Sequence, residues 1–147
     1  MSVFHRVLNL VFGAPEEMNG HGKCNTCLYR WHLAGDKVKV YLHHFVGDDW
    51  SLDLHDHPKR FVSIGLKGDY FEQTGDGSRV AWFRAPWLRT FPPTHAHRIF
   101  LDGRDCWTLV FVGPPRRNWG FWHLGRQFVP WREYVLGSLG DQRKACQ

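Results

Sequence analysis

Two histidines separated by one residue, His55 and His57, point most directly to chemistry in this chain. On a β-strand, residues two apart project from the same face, so both imidazoles can bind one metal ion. A second pair, His95 and His97, follows in the segment 92–97. Neutral imidazole nitrogens accept Fe, Ni, Mn, Cu or Zn. The spacing therefore predicts a divalent transition-metal site whose metal identity is open.

The two histidine segments resemble the paired motifs of the cupin superfamily. The first cupin motif has the form G-x5-H-x-H-x3-4-E-x6-G, on which His55, His57 and Gly68 fall. The second has the form P-x-G-x2-H, on which Pro92 and His97 fall. The match covers roughly residues 40–112. The longer stretch also resembles small cupin-like proteins of bacteria and their phages. The resemblance implies a jelly-roll β-barrel with a metal site.

Three motif positions depart from the family pattern. Phe61 stands at the glutamate ligand, Thr94 at the glycine of the second motif and Leu101 at its closing asparagine. The resemblance therefore implies a ligand set of three histidines, namely His55, His57 and His97. Three protein ligands leave coordination positions open, which suits catalysis rather than a purely structural metal.

Two residues are candidates for an additional, fourth ligand, although a structural role is the favoured interpretation of each. Asp53 lies one strand repeat before His55, and His95 lies on the same strand face as His97. Asp53 could instead serve as a turn carboxylate, and His95 as a side chain at the rim of the barrel. Both alternatives stay open at the level of the sequence.

Other residues of the inner strands are candidates for proton transfer and substrate binding. The candidates for proton transfer are His44, Tyr70 and Glu72. The candidates for substrate binding are Arg60, Arg89 and Trp107. Guanidinium groups pair well with carboxylates, so a small anionic molecule is the expected partner. Oxygenase-type chemistry is favoured, with isomerase, lyase and hydrolase activity open. The alternative is a non-catalytic metal-binding or small-molecule sensor.

A separate cluster has the form His21-x2-Cys24-x2-Cys27-x4-His32. A Cys-x2-Cys pair can supply half of a structural zinc site, and the two histidines are the only near residues that could complete it. Free or buried thiols are the favoured interpretation, because no second such pair exists in the chain. A redox dithiol lacks the βαβ context that such motifs need. Cys106, in an apolar strand, is expected to be a core thiol.

The composition narrows the class of protein. The length of 147 residues fits one domain, with a core at about 28–135 and a polar tail at 136–147. The net charge is +5. Lys and Arg are scattered, so a nucleic-acid partner is not favoured. No apolar run is long enough for a membrane span. A cytoplasmic protein is expected, a short signal peptide being the less favoured alternative, and homodimer formation is left open.

The elements that must position these residues are mostly strands. An amphipathic helix capped by Ser2 is predicted from Val3 to Phe12. From Leu28 onward, turn signals recur at the 8–12-residue spacing typical of all-β sandwiches and barrels. The predicted strands are 37–42, 61–66, 70–73, 79–84, 95–101 and 106–112, with a tight turn at 67–69 and a hairpin at 74–77. The segment 114–131 could not be assigned. The sequence thus predicts an all-β, cupin-type jelly roll with a short N-terminal helix.

Overall fold

The computed structural model describes residues 2–19 and 25–144, most of which lie in antiparallel strands. Strand-forming residues dominate because the chain is rich in aromatic and β-branched side chains. In chain order the elements are α1 (Val3–Phe12), β1 (Glu16–Asn19), β2 (Thr26–Ala34), β3 (Lys39–Phe45), β4 (Leu54–His55), β5 (Lys59–Thr74), β6 (Arg79–Arg84), β7 (Trp87–Phe91), β8 (His97–Phe100), β9 (Cys106–Pro115), β10 (Gly120–His123), β11 (Gln127–Pro130), α2 (Trp131–Leu136) and α3 (Ser138–Gln142).

The strands form two sheets that share β5. The first sheet has the order β1-β2-β3-β9-β5-β7 and uses residues 59–68 of β5. The second has the order β6-β5-β8-β4-β10-β11 and uses residues 69–74. The inner faces of both sheets line one cavity. The prediction of an all-β jelly roll with a short N-terminal helix is confirmed.

The tight turn predicted at 67–69 is wrong, because β5 runs without interruption from Lys59 to Thr74. Gly68 has a φ of +79°, and a Cβ at this position would lie 2.0 Å from the carbonyl oxygen of Asp105. Only glycine tolerates both constraints. Gly68 therefore allows β5 to pass from one sheet to the other at a close approach to β9, rather than to reverse.

The N-terminal helix forms as predicted. The Ser2 hydroxyl accepts a hydrogen bond from the His5 backbone N–H at 3.3 Å and caps α1. Leu8 is buried and packs with Trp31, Leu42 and Trp107 on the outer face of the first sheet. The helix thus covers that face of the sheet and leaves the inner face to the cavity. The three helices within the described residues have ten, six and five residues, too few for a membrane span.

The segment after Leu136, predicted as a polar tail, is folded over its described residues, which end at position 144. It forms α3, and Arg143 Nη2 then lies 3.2 Å from Asp53 Oδ1. The Arg143 carbonyl accepts a hydrogen bond from the Leu52 backbone N–H at 2.8 Å. Asp53 is 1% exposed, so its charge needs a partner, and the C-terminal segment supplies one.

The segment that the sequence left unassigned contains β10 and β11. Phe121 and Trp122 of β10 pair with His55 and Leu54 of β4. This pairing holds the very short β4 between β8 and β10, which fixes the first histidine motif in the second sheet.

Candidate metal centre

Two neighbouring strands of the second sheet bring three histidines together. His55 ends β4 and pairs directly with His97, the first residue of β8. His57 follows two residues after His55, and its backbone N–H donates to the Pro93 carbonyl at 3.2 Å. The loop before β8 therefore holds the first motif in place.

The ring nitrogens of the three histidines are close enough to share one ion. One ligand nitrogen from each of His55, His57 and His97 lies within 4.8 Å of the others. The Nε2 atoms of His57 and His97 are 2.9 Å apart. Two nitrogens that each lie about 2.0–2.1 Å from a single ion can have this separation. The donor set and its spacing fit a transition metal.

Glu72 fixes the tautomer of His97. This carboxylate is 2% exposed, and its Oε1 accepts a hydrogen bond from His97 Nδ1 at 2.6 Å. Burial opposes its ionisation, but hydrogen bonds from His95, His97 and Arg89 outweigh burial and hold the pKa of Glu72 far below its usual range. An ionised carboxylate only accepts, so the proton sits on His97 Nδ1 and the Nε2 lone pair faces the cluster.

His55 and His57 are held in the neutral form that binds metals. Burial lowers the pKa of His55 to about 4, against the opposing charge of Asp49. Burial, reinforced by the neighbouring histidines, lowers the pKa of His57 well below its usual value. His55 Nδ1 lies 3.6 Å from Asp49 Oδ2, which orients the ring. Both imidazoles therefore present a lone pair at neutral pH.

Neither candidate for a fourth ligand joins the three-histidine cluster. The Asp53 carboxylate accepts hydrogen bonds from Tyr134 at 2.7 Å and from Arg143, so it anchors the C-terminal segment. His95 groups with Glu72 and His97 instead, and its Nε2 donates to Glu72 Oε1 at 2.8 Å. Asp53 is corrected to a structural carboxylate. Glu72, His95 and His97 form a second group that could hold a metal ion, so a ligand role for His95 stays a prediction.

Phe61 forms an apolar wall beside the cluster. Its ring lies 4.9 Å from the ring of His57, edge to face, and stacks on Phe91 at 4.5 Å. The glutamate of the resembled motif is thus replaced by a side chain that cannot bind a metal.

The substitution Phe61→Glu is expected to add a ligand and to slow metal loss about 10-fold. A carboxylate at this position starts from the strand that faces His57, and carboxylate oxygen is a good ligand for the same metals. The measurement is the rate of metal transfer to a chelator, with Phe61→Gln as the uncharged control. Equal rates for Phe61→Glu and Phe61→Gln would show that position 61 does not reach the metal.

A cavity of about 440 Å³ lies next to the three histidines. Residues of both sheets line it, and most of them are apolar or aromatic. The aromatic lining includes Phe45, Phe61, Phe91, Trp119 and Phe121. The polar and charged lining includes Arg30, His43, Lys59, Ser63, Tyr70 and Thr108. Such a cavity suits an apolar molecule with a few polar groups.

Two predicted site residues, His44 and Trp107, lie on the opposite face of the first sheet. Their rings stack at 3.9 Å, and His44 also contacts His5 of α1 and Asp105. The sequence could not show which histidine of the pair 43–44 faces inward, because both are compatible with strand alternation. The structure corrects the choice, since His43 lines the cavity.

The predicted cationic residues also have other roles. Arg60 is exposed on the outside of the barrel. Arg89 donates from Nη1 to the Tyr70 hydroxyl at 2.8 Å and from Nη2 to Glu72 Oε2 at 2.6 Å. Tyr70 lines the cavity, but Glu72 stands behind His97. Arg89 and Glu72 therefore lie behind the candidate ligand His97, where they orient its ring, an arrangement that residue type alone does not reveal.

The predicted zinc cluster falls partly outside the described residues, which omit His21 and Cys24. The Cys27 thiol donates to the Met18 carbonyl at 3.0 Å, and burial raises its pKa to about 12. His32 is exposed, and its Nε2 donates to the Gly35 carbonyl at 3.1 Å. The two described members thus have separate partners.

We expect His43 to make the metal-free protein sensitive to acid. Burial, reinforced by Arg30, lowers the pKa of His43 to about 3, against about 6.5 in an unfolded chain. The contribution of neutral His43 to the free energy of unfolding is therefore complete above about pH 6.5 and is lost as the pH falls towards 3. As the pH falls, the free energy of unfolding should decrease less steeply in His43→Gln than in the unmodified protein. The two slopes should differ by up to about 1.4 kcal/mol per pH unit.

Urea unfolding between about pH 7 and pH 4, with chelator present, measures this slope. His32→Gln removes an exposed histidine and is the matched control. A slope for His43→Gln equal to that of the unmodified protein would contradict the prediction.

Solved structures with a similar barrel include cupin proteins. A polyketide cyclase from Streptomyces resistomycificus has a TM-score of 0.62 and 15% identity, covering 97% of this chain and 98% of that one. A cupin-2 domain protein from Rhodospirillum rubrum has a TM-score of 0.51 and 18% identity, covering 63% and 64%. A predicted oxalate decarboxylase from Thermotoga maritima has a TM-score of 0.52 and 16% identity, covering 67% and 90%.

The chain therefore has the cupin fold. No family model matches it, and no curated protein matches it. At these identities the likeness shows the fold alone, because one fold hosts many activities. The function must be argued from the site.

Proposed function

We propose that the protein is a metal-dependent enzyme that acts on a small acidic molecule bound in the cavity. The observation that carries this proposal is the cluster of His55, His57 and His97 at the wall of that cavity. Three neutral nitrogen donors would hold Fe, Ni, Mn, Cu or Zn and leave room for a substrate oxygen. A metal bound there would supply Lewis acidity and, for a redox-active ion, electron transfer.

Lys59 is the residue that we assign to the acidic group of the substrate. It lines the cavity at the start of β5, two residues after His57, and no ion pair with it is found in the described part of the chain. Arg30 also lines the cavity, but its guanidinium lies 2.6 Å from Glu16. In this proposal Lys59 has the substrate-binding role that was predicted for Arg60 and Arg89.

Oxygenase-type chemistry fits the site best among the reaction classes, because few protein groups are placed to move protons. The Tyr70 hydroxyl is hydrogen-bonded to Arg89, and burial raises the pKa of Tyr70. Glu72 is engaged by Arg89 and His97. The chain's own residues would bind the substrate, orient it and exclude water, while the metal supplies the chemistry.

The same observation supports a second candidate function, a non-catalytic sensor that binds a metal and a small molecule. A site with few groups placed to move protons also suits a protein that binds its ligand without converting it. Solved structures of this fold include a polyketide cyclase and a predicted oxalate decarboxylase, so the fold alone does not distinguish an enzyme from a sensor.

Binding of phenylpyruvate, a chelating acid with an apolar body, tests the proposal. Calorimetry on protein loaded with Fe(II) without oxygen should show binding that requires the metal. Lys59→Met should weaken it about 10-fold, the cost of losing a hydrogen bond to a charged group. Lys67→Met, which removes an exposed lysine, is the matched control. Metal-independent binding, or equal affinity in Lys59→Met, would contradict the proposal. Oxygen consumption with bound acid then separates enzyme from sensor.

A further inference from the structure

Two polar side chains on the first sheet face the cavity without a partner. The Thr108 hydroxyl oxygen and His43 Nε2 are buried, and neither has a hydrogen-bond partner among residues 2–19 and 25–144. Thr108 as a whole is 1% exposed. Leaving a buried polar group unsatisfied costs about 1–3 kcal/mol, so native proteins rarely keep one without a reason. Both residues line the cavity that the three histidines adjoin.

The two side chains are neighbours in the sheet. His43 on β3 and Thr108 on β9 are directly opposite residues of an antiparallel pair. Side chains in that relation have Cβ atoms about 4.5–5.5 Å apart, so one atom of a bound molecule can contact both. His43 and Thr108 line the same cavity as His57, so a molecule that fills this cavity can contact both the pair and the histidine cluster.

We propose that His43 and Thr108 form a subsite for an uncharged hydroxyl or carbonyl oxygen of the substrate, separate from its acidic group. This inference rests on the proposed function and narrows its substrate class to acids that carry a second oxygen function on an apolar body. A hydroxyl side chain and a neutral imidazole can each donate or accept a hydrogen bond. Such a pair matches a neutral oxygen, whereas a carboxylate would demand a cation.

The walls around the pair support an apolar body between the two polar ends. Phe45 and Val110 line the cavity on the same two strands, and Phe61 and Phe91 lie towards the histidines. Burial and the nearby Arg30 lower the pKa of His43, which keeps its ring neutral at physiological pH. The subsite therefore stays uncharged when the cavity fills.

Phenylpyruvate and its ring-hydroxylated isomers are the probes. At least one isomer should bind the metal-loaded protein about 5- to 10-fold more tightly than phenylpyruvate, the contribution of one well-made hydrogen bond. The ratio of the two affinities, preferred isomer over phenylpyruvate, should fall to about twofold or less in Thr108→Val and in His43→Phe. Thr90→Val makes the same atomic exchange at an exposed site on β7 and should keep the ratio.

The melting temperature of the metal-free protein gives a second readout that needs no ligand. Thr108→Val should raise it, because an unsatisfied buried hydroxyl is replaced by a methyl group of the same shape. A lower melting temperature, an unchanged ratio in both variants, or no isomer preferred over phenylpyruvate would overturn the subsite. If the unmodified, metal-loaded protein does not bind phenylpyruvate, the proposed function is contradicted. The melting temperature of Thr108→Val would then still show whether the buried hydroxyl lacks a partner, as the subsite requires.

Discussion

Replacing His55, His57 and His97 together by alanine is expected to lower the metal content from near one ion per chain to background. These rings contribute the three nitrogens of the cluster, and Phe61 supplies no ligand in compensation. The fold should survive, because the largest buried side chains, such as Trp31 and Tyr134, lie elsewhere. Elemental analysis of protein purified without added metal, then dialysed, gives the ratio.

His32→Ala, at an exposed histidine outside the cavity, is the control for the loss of a histidine as such. Its metal content should equal that of the unmodified protein. A triple variant that is folded by circular dichroism and still carries one tightly bound ion would show that the metal is held somewhere else.

Replacing Glu72 by glutamine is expected to weaken metal binding about 10- to 100-fold and to destabilise the fold by about 3 kcal/mol. Two consequences follow from one lost charge. The Arg89 guanidinium loses its buried counter-ion, and His97 loses the carboxylate that keeps the proton on Nδ1. Competition with a chromophoric chelator measures the metal affinity, and urea unfolding of the metal-free protein measures the stability.

Asp53→Asn is the matched control for this prediction. Asp53 is also a buried carboxylate paired with an arginine, Arg143. Its other partners are Tyr134, His123 and the Leu124 backbone N–H, and none of them is a candidate metal ligand. Asp53→Asn should lose a similar amount of stability and keep its metal affinity. If Glu72→Gln bound metal as tightly as Asp53→Asn, Glu72 would have no positioning role.

The parts of the molecule that depend on local sequence could be predicted. The cap at Ser2 and the hairpin at 74–77 depend on neighbouring residues, and the structure contains both. His55 and His57 also reach one cluster, but β4 ends at His55, so His57 lies after the strand and not on it as predicted. The resemblance to the cupin motifs added His97, which no local pattern links to His55. The fold class followed from the spacing of turn signals.

The parts that depend on contacts between distant residues could not be predicted. Glu72 was recognised as an inner-face residue, but its bond to His97 joins β5 to β8 and cannot be read from either strand. The choice between His43 and His44 depends on which face α1 covers. The anchoring of the C-terminal segment depends on Asp53, a residue whose type equally suits a turn.

X-ray absorption spectroscopy at the metal edge of the loaded protein is the most direct test of whether His55, His57 and His97 hold one ion. It also shows whether coordination positions stay open towards the cavity. We predict that the metal ligands are three imidazole nitrogens and solvent oxygen, and that phenylpyruvate replaces the solvent oxygen when it binds. A shell closed by four or more protein ligands, or one containing sulfur from cysteine, would contradict it.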